Sequence, residues 1–106
     1  MSKYLTVSSY TAEGIKGLLK EGGTARREAI QKLVESLGGR LEAFYFTFGE
    51  NDLYCLIDVP DNVSMAAATL TVMPTGASRG FKTVVLLTPE EIDQAVKTPI
   101  DYRPPG

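Results

Sequence analysis

An α+β domain built on a single antiparallel sheet is what this chain of 106 residues predicts. Three observations carry the expectation. Arg40 to Pro60 holds two runs of aromatic and branched residues around Gly49-Glu50-Asn51-Asp52, the pattern of a β-hairpin with a short loop. Apolar residues at helical spacing stand on either side of that hairpin. Two further short runs of strand character, Lys3–Ser9 and Phe81–Leu87, lie near the two ends of the chain.

Taken in order, Lys3–Ser9 alternates, with Leu5 and Val7 on one side and Tyr4, Thr6 and Ser8 on the other. Thr11–Glu21 has Ile15, Leu18 and Leu19 at helical spacing, although Gly14 and Gly17 each cost a helix up to about 1 kcal/mol. A short, fraying helix closed by Gly22-Gly23 is expected there, in a position that would suit a lid. In the next segment Thr24 is placed to cap a helix striped with Ile30, Leu33, Val34 and Leu37. Gly38-Gly39 supplies its left-handed end. Arg26 and Arg27 fall in its first turn, near Lys16 and Lys20. They form a basic face that is solvated or receives an anion.

In the hairpin, pairing Phe48 with Leu53 puts Phe44, Phe46, Phe48, Leu53, Cys55, Ile57 and Val59 on one face, under the helices. Leu41, Ala43, Tyr45, Thr47, Tyr54, Leu56 and Asp58 then take the other. Pro60 ends the second strand, and Asp61 or Asn62 caps a helix whose stripe is Val63, Ala66, Ala67 and Leu70. Pro74 stops that helix. The loop Thr75–Gly80 lacks the Lys-Ser/Thr of a phosphate-binding loop and precedes a strand. After the strand Phe81–Leu87, Thr88-Pro89-Glu90-Glu91 starts a helix running to about Lys97, and residues 98–106 form an extended tail. Strand, helix, strand, strand, helix, strand is the ferredoxin-like order, with four antiparallel strands and the helices on one face of a single domain.

With that order in place, Gly49-Glu-x-Asp52, Pro60-Asp-Asn62 and the closing Leu87-Thr-Pro-Glu-Glu91 resemble a GYD-domain protein over nearly the whole chain. Gly49 and Asp52 match the turn motif, and Asn51 stands where the family's tyrosine is expected. The resemblance implies a ferredoxin-like fold of dimeric α+β barrel type and self-association, with no reaction attached. The Gly-x-x-Asp turn is also similar, more weakly, to the effector-binding domains of Lrp/AsnC-type regulators, although no DNA-binding helix pair precedes it. Physically, Gly49 would supply an unusual backbone angle and Asp52 or Asn51 would hydrogen-bond the loop.

Composition narrows the chemistry. With no histidine, neither a Ser-His-Asp triad nor a His-ligated haem or zinc centre can be built. The lone Cys55 permits no internal disulfide and reads as a small buried residue, which fits a reducing cytoplasm. No metal or other cofactor is implied. The net charge of −2 draws the chain to neither nucleic acid nor membrane, and no leader or spanning segment is evident. Charge is uneven, at +2 over Thr11–Arg40 and −5 over Leu41–Asn62, which would suit contact between copies.

The open sheet face is the surface expected to act. It is assigned Tyr4, Thr6, Tyr45, Tyr54, Leu56 and Asp58, with Leu41 beside them, as ligand-binding or interface residues. Covering such a face with a second copy would yield a gross gain of about 10 kcal/mol before association costs. A homodimer or higher homo-oligomer binding a small apolar or aromatic molecule, in a pocket between sheet and helices or between subunits, is the expected role. The alternative is a cofactor-independent oxygenase or isomerase using those tyrosines, with Asp58 as base. A third use is docking on other proteins through Tyr102-Arg103-Pro104.

Overall fold

The computed structural model describes residues 1–106. Strands β1 (Ser2–Tyr10), β2 (Arg40–Phe46), β3 (Leu53–Val59) and β4 (Ser78–Leu86) form one sheet in the order β2-β3-β1-β4, with every neighbouring pair antiparallel. Helices α1 (Ala12–Glu21) and α2 (Gly23–Ser36) separate β1 from β2. Helix α3 (Asn62–Val72) and a single 3-10 turn, Met73–Thr75, separate β3 from β4, and α4 (Pro89–Lys97) follows the sheet. The α+β class and the ferredoxin-like order are as the sequence predicts. The core joins Tyr4 of β1 and Leu53, Cys55, Ile57 and Val59 of β3 to Val34 of α2 and to Met65 and Ala68 of α3.

Helix ends follow local chemistry. The Thr11 hydroxyl accepts from the Gly14 N–H to start α1, and Asp61 accepts from the Ser64 N–H to start α3. Thr24 does not cap α2. That helix begins two residues earlier than a Thr24 cap would require, at Gly23 directly after Gly22 at φ 88°, so Thr24 already lies in its first turn. Its far end closes as expected on left-handed Gly38, with Gly38 N–H donating to Glu35 O and Gly39 N–H to Val34 O, each at 3.0 Å.

The hairpin differs from expectation in register. Phe46, not Phe48, pairs with Leu53, and Thr47 N–H donates to Asp52 O, so the four-residue tip is 48–51. Displacing the tip by one residue moves the register by two. The faces of Phe44, Phe46, Leu53, Cys55, Ile57 and Val59 are therefore preserved. Phe48 leaves the sheet and lies fully exposed at the tip. A bulge at Glu42 then turns Leu41 to the helix side, opposite Ile57, where the unbroken alternation had placed it on the open face.

Two further expectations are corrected. Helix α3 buries Met65 and Ala68 and leaves Val63 and Leu70 exposed, the reverse of the expected stripe. It has no charged residue, so nothing in its sequence marks an outer face. Strand β4 begins at Ser78 rather than Phe81, because Gly80 at φ 60° forms a bulge opposite the stretch Val7–Ser9.

Helix α4 stands apart. All of its residues are exposed, Val96 among them at 79%. The radius of gyration is 16.9 Å and the long axis is 57 Å, against about 13 Å of gyration radius for a compact domain of this size. The excess comes from this arm and the tail after it.

Candidate functional site

Antiparallel pairing fixes which side chains share a face. Tyr4 lies opposite Ile57, Thr6 opposite Cys55 and Ser8 opposite Leu53, so all three point to the helices. Tyr4 and Thr6, expected on the open face, are therefore buried inside. Tyr4 spans the gap to α3, and its hydroxyl donates to Asn62 Oδ1 at the start of that helix. Leu5 and Val7 take the open face with Ala43, Tyr45, Tyr54, Leu56, Asp58, Lys82, Val84 and Leu86.

One end of that open face is a closed charge cluster. Lys3 Nζ lies 2.6 Å from Glu42 Oε2 and 3.1 Å from Asp58 Oδ1, while Arg40 Nη2 lies 2.7 Å from Glu42 Oε1 and 3.2 Å from Asp58 Oδ2. Burial opposes ionisation of Asp58, but hydrogen bonds from Lys3 and Arg40 outweigh that and hold the carboxyl below its ordinary value. A carboxylate so held is a poor proton acceptor. With Tyr4 on the opposite side as well, the three tyrosines and carboxylate expected on one surface are not brought together.

Between α2, α3 and the inner sheet face lies a cavity of about 210 Å³, partly open to solvent. Leu33 and Val34 of α2, Met65 and Ala68 of α3, and Cys55 and Ile57 of β3 supply much of its wall. Thr6, Ser8, Tyr10, Arg26 and Ser78 add polar groups. Burial pushes the Cys55 thiol up to about 11, with a hydrogen bond to Thr6 acting weakly against it, so the sulfur stays protonated at neutral pH. Tyr10 stacks on Phe46 with ring centroids 6.4 Å apart. A side chain at Gly23 would meet Phe46 Cε2 at 2.9 Å, so the start of α2 must be bare for this ring to sit there.

The turn residues play structural parts. Asp52 N–H donates to Ser8 O at 3.0 Å, and its carboxylate accepts from Tyr10 N–H at 2.9 Å, latching the hairpin to the end of β1. Gly49 has no positive φ and nothing within 4 Å, so the expected backbone demand is absent. Sequence reasoning did not join Tyr10 or Arg26 to a pocket, yet signals existed. Tyr10 continues the two-residue period of Thr6 and Ser8, and Arg26 precedes Ile30 and Leu33 by four and seven residues on the inner stripe of α2.

Fold and cavity together define a small α+β domain with a largely apolar pocket between its sheet and two of its helices. The GYD domain model matches residues 4–96, and the chain belongs to that family. No curated protein matches it. Among solved structures it is similar to one described as the crystal structure of FFRP-DM1, with a TM-score of 0.54 and 17% identity over 82% of this chain and 100% of the other, a likeness in fold. No helix is long and apolar enough to cross a membrane.

Proposed function

We propose that this chain is a homo-oligomeric small-molecule-binding module whose pocket is the cavity between the sheet and helices α2 and α3. The observation that carries the reading is the cavity itself, about 210 Å³ and mainly apolar in a chain of 106 residues. Wall atoms that face this space lack packing partners on one side. An apolar molecule that fills it supplies them.

Self-association is supported separately. The chain's own helices lie on the other side of the sheet and leave Tyr45, Val84 and their neighbours without a cover. Leu87, Ile92, Val96 and Ile100 along the C-terminal arm are also bare. A second copy, packed sheet to sheet with arms laid across it, would shield both surfaces. Light scattering on the purified chain at micromolar concentration, combined with a calorimetric screen of small apolar compounds, tests the reading. A dimer or larger assembly that binds compounds without turning them over is expected. A monomer, or a cavity that takes no compound, would remove the corresponding half of it.

A further inference from the structure

We infer that the cavity takes a compact apolar molecule bearing a single carboxylate, its body against Val34, Cys55 and Ile57 and its acid group at the Arg26 guanidinium beside the Tyr10 hydroxyl. This rests on the binding role proposed above for the same cavity and adds the class of ligand.

Charge decides the class. Arg26 is the one charged residue of the lining; its partner Glu21, and Asp52 whose carboxylate accepts from Tyr10 N–H, lie outside it. An ammonium group inside the cavity would meet the Arg26 cation and no carboxylate of the wall, which disfavours amines and amino acids. A dianion would exceed the single positive charge. A neutral molecule would suit the walls but leave unused the planar fork of donors with which arginine grips a carboxylate.

Arg26 is free to respond. It uses Nη1 on Glu21 Oε1 at 3.2 Å, with the two side chains 33% and 43% exposed, and such a pair is weak. Burial raises the Tyr10 phenol, and the neighbouring Arg26 charge offsets this only in part. The phenol therefore keeps its proton at neutral pH and can donate it to a carboxylate oxygen. Volume sets the body of the ligand. A hole of about 150 Å³ holds benzene, so the larger space here suits one six-membered ring or a short branched chain with an acid arm, not a fused ring system.

Calorimetric titration of the full chain with phenylacetate and with its neutral counterpart phenylacetamide tests the assignment. The rate at which methyl methanethiosulfonate modifies Cys55, on the cavity wall, gives a second readout. Phenylacetate should bind at least about tenfold more tightly than phenylacetamide and slow Cys55 modification as it saturates. Arg26→Gln should lose at least about tenfold in phenylacetate affinity, with Arg26→Lys between, both keeping the wild-type circular dichroism. Equal binding of the two probes, both protecting Cys55, would overturn the carboxylate assignment and leave the cavity as a binding site. Phenylacetate affinity unchanged in Arg26→Gln would overturn the role given to Arg26. Failure of both probes at millimolar concentration, with Cys55 unprotected, would overturn the inference and the binding reading together.

Discussion

A Cβ placed on Gly14 would stand 2.1 Å from the carbonyl oxygen of Ala77. Helix α1 therefore rests directly on the backbone that leads into β4. The contact is pinned by Thr11 N–H donating to the same oxygen at 3.0 Å and by the Thr11 hydroxyl donating to Gly76 O at 2.7 Å. Glycine is required by closeness here, not by backbone angle.

The two glycines of α1 should answer alanine in opposite ways. Gly17 has nothing within 4 Å, so Gly17→Ala should stabilise the chain by up to about 1 kcal/mol through helix propensity. Gly14→Ala should destabilise it by about 2 kcal/mol, because a backbone carbonyl cannot move aside as a side-chain tip can. Urea midpoints moving apart from the wild type in opposite directions would bear this out.

Cys55 should leave a mark on alkaline stability. Its folded value of about 11 lies above the ordinary 9.0. The protonated thiol thus contributes stability that is fully present below pH 9 and lost as pH rises toward 11, up to about 3 kcal/mol. Between those limits the wild type should lose stability faster than Cys55→Ala, measured as the change in urea midpoint for each. Parallel pH profiles would mean the thiol is not desolvated.

The acid limb has the reverse sign. Asp58 is held below its ordinary 3.8. Its contribution is present above pH 4 and disappears as pH falls through the folded value. Asp58→Asn should be less stable at pH 7 but show a flatter loss of stability below pH 4, followed by tryptophan-independent methods such as circular dichroism, since the chain has no tryptophan.

Assembly should be sensitive on the open face of the edge strand β4. Val84 lies opposite Leu5 and is 44% exposed, so Val84→Glu costs the single chain little. It should reduce self-association at least tenfold if that face is covered by another copy, because a charge would be buried there without a partner. Sedimentation velocity of the variant against the wild type measures the shift.

Much of the fold is legible in the residues themselves. The capping box of Thr88 and Glu91, the glycine end of α2 and the Asp61 cap are local chemistry, and they stand where the sequence puts them. The errors arise where a face had to be chosen without a local marker. Leu5 and Val7 are more apolar than Tyr4 and Thr6, so hydropathy turned β1 the wrong way. Pairing with β3 and the reach of Tyr4 to Asn62 decide the matter instead. Helix α3, apolar on all sides, offers no contrast from which to read an inner face. The bulges at Glu42 and Gly80 each shift a parity that an alternating pattern cannot reveal. A cleft between sheet and helices, one of the two places expected for a pocket, is present, but the polar residues expected to serve it followed the misassigned strand face.

The capping box of α4 has a consequence for how copies would meet. The Thr88 hydroxyl accepts from Glu91 N–H, and Glu91 Oε1 in turn accepts from Thr88 N–H, at the head of a helix whose residues are all exposed. Its first coil is thus wound by its own residues, and a neighbour docking there would receive a rod in place of a loose string. Little disorder is left to surrender on docking, and loosening that first coil would tax the encounter while sparing the subunit.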